Sequence, residues 1–161
     1  MIYSANGLLQ MVIPVGHENL YRIPIHEVRI SNNSPWNKIH WRSIESAYRK
    51  SPYFEYFEAE LKPLFEKPAE KLFDFNFALI EKIFSLMRLP FNYRFTNEYE
   101  KAAGHISDYR NIFTPDNRNM NLLPYHQVFC DRHKFISDLS ILDLMFNKGM
   151  DAKRYLEEMT A

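Results

Sequence analysis

The chain has 161 residues, 20 basic and 20 acidic side chains, and a sequence pI near 7.0. This balance argues against a protein that holds nucleic-acid backbones on a basic surface, because such proteins carry an excess of lysine and arginine. A chain of this length is typical of a single domain with its own core, so we predict one domain over residues 1–161.

The chain has a single cysteine, Cys130, which excludes an internal disulfide and favours a reducing compartment. The first residues lack the basic flank and the cleavage site of a signal peptide, and no apolar run approaches the roughly 20 residues of a membrane-spanning helix. We therefore expect a soluble, cytoplasmic protein. The four glycines are far apart in the sequence, which argues against a glycine-rich nucleotide-binding loop.

The first thirty residues predict short strands joined by a hairpin turn. The pair Asn6-Gly7 tolerates the positive φ that a tight turn requires. The pair Ser34-Pro35 then predicts the start of a helix, with Ser34 as the N-cap and Pro35 at the first helical position. The candidate strands cover residues 1–4, 8–15 and 28–30.

Hydrophobic residues at helical spacing predict a mainly helical body after this point. Segment 69–87 is apolar around most of its circumference, so we place it at the centre of the core. Residues 93–96 form a candidate strand, and 97–124 are expected to be a loop with one short helix near 105–112. The predicted helices cover residues 35–50, 52–66, 69–87, a segment starting near 125, 138–148 and 151–159, with Gly149 as a stop. The predicted fold class is α+β, with a small N-terminal β-hairpin or sheet packed on a mainly helical domain.

Both tryptophans, a histidine and an arginine lie between Trp36 and Arg42. At about 100° per residue, Arg42 falls on the charged side of the predicted helix, whereas His40 falls within the apolar arc beside Trp36. A buried imidazole needs hydrogen-bond partners, and its pKa shifts easily across neutrality. Two interpretations stay open: a core histidine bonded to a backbone carbonyl, or a His40 that faces a ligand next to Trp36.

Ser140, Asp143 and Asn147 share one polar stripe of a predicted helix. A carboxylate held between a hydroxyl and an amide can orient a histidine or bind a hydroxylated ligand. The same stripe would also result if this were the solvent-facing side of an amphipathic helix.

His126, Cys130 and His133 would line one face if residues 126–133 were helical. Imidazole and thiolate are good zinc ligands, but a fourth ligand is not apparent, so we predict no metal site. A nucleophilic Cys130 beside a histidine and a plain buried thiol are the other two interpretations.

Three stretches of the sequence resemble the WbqC-like protein family of bacteria: KIHWRSIESAYRKSPYFEYFEAELKPLFEK, LFDFN and YHQVFCDRHKFISDLSILDLMFNKG. The segments ANGLLQMVIPV and HEVRIS are similar to further parts of the family pattern. Members of the family occur with genes for O-antigen and other surface polysaccharides, so the resemblance implies a role in making or modifying these sugars. It assigns no reaction and no cofactor. Because family members usually carry a further N-terminal portion, we expect this chain to be N-terminally short.

These observations predict a protein that acts in surface-polysaccharide biosynthesis, on an activated sugar or an acyl-group donor. His40 and Asp143 are the candidate acid–base residues, and the sequence leaves open whether they meet in space. The candidate substrate-binding residues are Trp36, Tyr125, Gln127, Ser140 and Asn147. The alternative is a non-catalytic binding or assembly partner, because an open edge of a short N-terminal sheet would pair with a second copy or another chain.

Overall fold

The structure is a computed structural model that describes residues 1–16, 23–96 and 122–160. These residues form a two-stranded antiparallel hairpin followed by helices, which confirms the predicted α+β class. The strands are β1 (Ile2–Ser4) and β2 (Gly7–Leu9). The helices are α1 (Trp36–Tyr48), α2 (Phe54–Glu66), α3 (Leu72–Leu86), α4 (Cys130–His133), α5 (Ile141–Lys148) and α6 (Asp151–Thr160), with a short 3₁₀ helix at Ile25–Glu27.

The N-terminal hairpin forms where the sequence predicts it. Gly7 adopts a φ of 96°, in the region that only glycine enters without strain. The turn sets the register, in which Ile2 lies opposite Leu9. Ile2 and the neighbouring Tyr3 point into the protein and are fully buried.

The strand predicted over residues 8–15 is shorter than expected and ends at Leu9. Pro14 has no backbone N–H to donate to a continuous ladder. Beyond it, Val15 makes an isolated antiparallel bridge with Ile30, and Arg29 makes another with Lys71. The predicted strand at residues 28–30 is therefore present as two bridges.

The start of α1 differs from the prediction by one residue. The helix begins at Trp36, and Pro35 is its N-cap with a ψ of 50°, outside the helical range. No side chain caps this end, so Ser34 does not have the predicted capping role. By contrast, Ser140 is the N-cap of α5, where its hydroxyl accepts a hydrogen bond from the backbone N–H of Leu142 at 3.4 Å.

The centre of the core lies between α1, α2 and α5, which corrects the placement of segment 69–87. In α3, Phe75 and Ile83 are buried, whereas the other apolar side chains are half-buried or exposed. The reason is that a second side of α3 packs against the following segment rather than the core, as in the contact of Phe77 with Tyr93 at 4.8 Å between ring centroids. The largest fully buried side chains near the centre are Tyr48, Phe54, Phe57, Leu61, Met145 and Phe146.

The remaining segments are more irregular than the sequence predicts. Residues 93–96 form no strand, and the helix predicted to start near residue 125 is reduced to the single turn of α4. Lys134 ends that turn with a φ of 64°. The helix expected near 105–112 lies outside the described residues. Within the described ranges, no helix combines the length and the hydrophobicity needed to span a bilayer.

Gly149→Ala should destabilise the protein by about 2 to 4 kcal/mol. Gly149 ends α5 with a φ of 59°, and a Cβ at this position would lie 2.6 Å from ring atoms of Tyr53. Urea unfolding measures the loss. Gly7→Ala is the matched control, because its φ is also positive but nothing lies within 4 Å of the added Cβ. Equal losses in the two variants would show that the contact with Tyr53 has no energetic effect.

Candidate functional site

A buried carboxyl group is the centre of the candidate site. Asp143 lies in the first turn of α5, and its side chain is fully shielded from solvent (0% exposed). The residues on either side, Leu142 and Leu144, are buried as well. This burial excludes the interpretation that Asp143 lies on the solvent-facing side of an amphipathic helix. A buried carboxylate costs several kcal/mol unless it is hydrogen-bonded, so its partners determine what it can do.

The partners of Asp143 come from outside its own helix. The Tyr125 hydroxyl donates a hydrogen bond to Oδ2 at 2.7 Å, and the Gln127 side-chain amide donates to the same oxygen at 3.1 Å. The hydroxyl of Tyr48, at the end of α1, also favours the ionised form of this carboxyl. Among the described residues, the second oxygen, Oδ1, has no partner at hydrogen-bonding geometry.

The surroundings shift the proton affinities of these groups. Burial raises the pKa of Asp143 above its ordinary value of 3.8, while the hydrogen bonds from Tyr125, Tyr48 and Gln127 act in the opposite direction. Burial and the nearby carboxyl raise the pKa values of Tyr48 and Tyr125 as well. Both phenols are therefore protonated at neutral pH and can serve as hydrogen-bond donors.

Gln127 is fully buried and holds the segment around α4 in place. Its amide nitrogen donates to the backbone carbonyl of Ile136 at 2.8 Å, and its Oε1 accepts the backbone N–H of Ile136 at 2.9 Å. These two bonds fix the orientation of the side chain, so that the amide nitrogen also reaches Asp143. The orientation of the amide is thus set by the backbone of Ile136.

The N-terminal strand completes the site. The backbone N–H of Tyr3 donates to the Tyr48 hydroxyl at 3.0 Å. The Tyr3 hydroxyl lies 3.0 Å from the Phe129 carbonyl and 2.8 Å from that of Lys134, and its single proton serves one of them at a time. The sequence interpretation missed Tyr3 and Tyr48. Tyr48 does fall on the apolar side of α1, but nothing in the pattern links it to Asp143.

His40 occupies a different place. The residue is 8% exposed, and Nε2 lies 3.2 Å from the backbone carbonyl of Val12, so Nε2 carries the proton. Burial lowers the pKa of His40 below 6.5, which keeps the imidazole neutral at pH 7. The ring meets Trp36 edge to face at 5.3 Å between centroids. This arrangement agrees with the interpretation of a core histidine bonded to a backbone carbonyl.

No hydrogen bond or ion pair joins His40 to Asp143 in the described residues. The neighbour of Asp143 on α1 is Tyr48, which follows His40 by eight positions (48 − 40). Eight residues correspond to about 12 Å along a helix. The predicted acid–base pair is therefore divided between two places, with Trp36 beside His40, and Tyr125 and Gln127 beside Asp143.

Ser140 is the N-cap of the helix that carries Asp143, and Asn147 lies in that helix. The backbone carbonyl of Ser140 accepts the N–H of Asp143 at 2.8 Å. The Asn147 amide donates to the Asp143 backbone carbonyl at 2.7 Å, and its buried Oδ1 has no partner in the described part of the chain. Both residues support the helix that carries the carboxyl, and substrate binding by them stays a prediction.

The histidine–cysteine pattern does not form one helical face, because α4 begins only at Cys130. The Cys130 thiol lies 3.6 Å from Nδ1 of His126, whereas His133 turns to the Ala5 carbonyl at 2.9 Å. Within the described ranges, no group of three or more histidine, cysteine, aspartate or glutamate side chains is placed to hold a metal ion. The thiol is half-buried, and its role as a nucleophile stays a prediction.

Comparison with known proteins gives one match. The model of the WbqC-like protein family matches residues 1–115, which is 115 of the 161 residues. The matched part contains the hairpin, α1, α2 and α3, with His40 and Tyr48. It does not reach Tyr125, Gln127 or Asp143. No curated protein and no solved structure matched the chain.

Asp143→Asn should change how the stability of the protein depends on pH. Because the pKa of Asp143 is raised in the folded state, the folded protein binds this proton more tightly than the unfolded chain. The wild type therefore loses stability as the pH rises from the unfolded pKa through the folded one, and the variant lacks this loss. In urea unfolding at a series of pH values, the stability of the variant relative to wild type should increase across that window and then stay constant.

Tyr125→Phe provides a second measurement. It removes a hydrogen bond that lowers the pKa of Asp143, so the window should extend to higher pH. A difference between Asp143→Asn and wild type that did not change with pH would exclude a titrating carboxyl at this position.

Proposed function

We propose, because the chain belongs to the WbqC-like protein family, that it acts in the synthesis or modification of surface polysaccharides, with Asp143 as its acid–base group. The resemblance to a family that occurs with genes for such polysaccharides supports the biological role. The observation that supports the chemistry is a fully buried carboxyl whose pKa is raised and whose partners are two phenols and an amide.

A carboxyl at this position is better explained by chemistry than by stability. Burial of an ionisable group in an aromatic core is costly, and an apolar side chain of similar size would avoid that cost. Shifted proton affinity is the property that a group needs in order to give and take protons near neutral pH. The hydrogen bonds from Tyr125 and Gln127 keep the carboxyl in one orientation for this purpose.

Tyr125 connects the carboxyl to the exterior in this proposal. Asp143 itself is fully shielded, whereas Tyr125 is half-buried and its hydroxyl lies 2.7 Å from Oδ2. A sugar hydroxyl at Tyr125 would pass its proton to the phenol oxygen as the phenol proton moves to Asp143. The sugar oxygen would then attack the activated carbon of a sugar or acyl donor. The proton returns by the same route to the leaving group, so the two residues end as they began.

The acid–base role is assigned to the Asp143 centre rather than to His40. The His40 imidazole is neutral, is bonded to the Val12 carbonyl and packs on Trp36. These contacts favour a role in holding the segment before the first helix, and no carboxylate among its described contacts orients the ring.

Asp143→Asn and Tyr125→Phe should each abolish polysaccharide modification in cells whose own copy of the gene is deleted. Loss of a proton-transfer group lowers rates by about 10² to 10⁴, and both replacements keep the size of the side chain. The measurement is the mass of the isolated surface polysaccharide, together with a thermal unfolding curve for each purified variant. Asp131→Asn, at an exposed carboxyl within α4, and His40→Gln should retain modification. Normal polysaccharide from both site variants would exclude the proposed chemistry.

A second function, as a non-catalytic assembly partner, is favoured by the N-terminal hairpin. In the described residues the sheet has two strands, so the outer edge of β2 has no partner strand there. Leu8 on this strand is 50% exposed. Open edges with exposed apolar side chains pair readily with another chain.

Light scattering of the purified protein distinguishes this second function. If the edge mediates assembly, the wild type should be a dimer and Leu8→Lys a monomer, because a charge on an edge strand prevents pairing. Ile25→Lys is the matched control, since Ile25 is 58% exposed but lies outside the hairpin. A monomeric wild type, or a dimer that persists in Leu8→Lys, would count against assembly through this edge.

A further inference from the structure

A cavity of about 320 Å³ lies between the N-terminal hairpin and α1. Its size is within the range of small-molecule sites. The residues that matter for its chemistry are Ser4 and Leu9 from the hairpin, and Ile39, Arg42, Ser43 and Ser46 from α1. The four helix residues are three, four and seven positions apart from the first, so they share one face.

The charge that lines the cavity is positive. Among the residues that the structure describes, Arg42 is the single charged lining residue and no carboxylate lines the cavity. Among the described residues, Arg42 makes no hydrogen bond or ion pair. Arg49 on the same helix differs in this respect, because Glu45 forms an ion pair with it. A guanidinium that lines a partly enclosed cavity and has no ion-pair partner attracts anions.

Of the three serine hydroxyls that line the cavity, two already donate to backbone carbonyls and one is available to a ligand. The hydroxyl of Ser43 donates to the Ile39 carbonyl at 2.9 Å, and that of Ser4 donates to the Gly7 carbonyl at 2.9 Å. The Ser46 hydroxyl makes no hydrogen bond within the described part of the chain. Ser46 follows Arg42 by one helical turn, so the two side chains are neighbours on the surface of α1.

We infer that this cavity binds the phosphate group of a phosphate ester, with Arg42 and Ser46 as its ligands. A guanidinium presents parallel N–H groups that match two phosphate oxygens, and a serine hydroxyl donates to a third. The apolar side chains of Leu9 and Ile39 would cover the organic part of the ester. The inference goes beyond the role of Asp143 and stands on different residues, although an activated sugar donor carries a phosphate group of this kind.

The experiment titrates the full chain with inorganic pyrophosphate by calorimetry. Wild type should bind one pyrophosphate, and Arg42→Ala should lower the affinity by at least about 10-fold, the effect of losing a charge-assisted hydrogen bond. Arg42→Lys should fall between the two, because lysine keeps the charge but lacks the paired N–H groups. Ser46→Ala should cause a smaller loss. Arg49→Ala is the matched control on the same helix and should bind as wild type does.

A parallel arm with phosphatidic acid vesicles identifies the source of the phosphate. Binding of pyrophosphate assigns a soluble ester, whereas Arg42-dependent binding to vesicles alone assigns a lipid head group. The inference is overturned if neither probe binds, or if Arg42→Ala and Arg49→Ala weaken binding equally. Pyrophosphate binding is measured without any polysaccharide activity. A protein that binds no pyrophosphate would therefore leave the Asp143 proposal unaffected. Normal polysaccharide from the Asp143 variants would likewise leave the expected pyrophosphate binding unchanged.

Discussion

A carboxyl group enclosed in an aromatic core imposes the main constraint on this protein. The buried polar atoms around Asp143 need hydrogen-bond partners, because a buried polar atom without one reduces the stability of the fold by several kcal/mol. Tyr125 and Gln127 provide two of these partners. Gln127 in turn is fixed by the backbone of Ile136. The irregular segment that contains α4 is thus held by the bonds of Gln127 and by the contacts of the Tyr3 hydroxyl with the carbonyls of Phe129 and Lys134.

The same constraint attaches the hairpin to the helices. Tyr48 accepts the backbone N–H of Tyr3 with the hydroxyl that also stabilises the Asp143 carboxylate. A second link joins the backbone N–H of Ser140 to the carbonyl of Met1 at 2.8 Å. A hairpin of two three-residue strands would be marginal alone, and these polar contacts, together with the burial of Ile2, anchor it to the helical body.

Local signals in the sequence were enough to predict the hairpin turn and the main helices. Asn6-Gly7 marked the hairpin, Gly149 marked the end of a helix, and hydrophobic spacing located α1, α2 and α3 to within a few residues. The predictions for α3, Asp143 and His40 were incomplete because their contacts involve residues far away in the sequence. The apolar content of α3 did not reveal that aromatic residues after it cover one of its sides. The sequence pattern of α5 does not distinguish an Asp143 that faces solvent from one that is bonded to Tyr125. For His40, the pattern predicts a backbone carbonyl as a partner but does not identify which one.

The contacts of Tyr3 also bear on the order in which the protein folds. Its hydroxyl meets the Lys134 carbonyl across 131 positions of the chain, and closing so long a loop costs entropy that short-range contacts do not. The packing of α1 on α2 and of α2 on α3 involves helices adjacent in sequence, so it can form early. The contacts of Tyr3 with Phe129 and Lys134 form only when the two ends of the chain meet. Loop-closure entropy therefore favours a late assembly of the carboxyl centre on the packed helices.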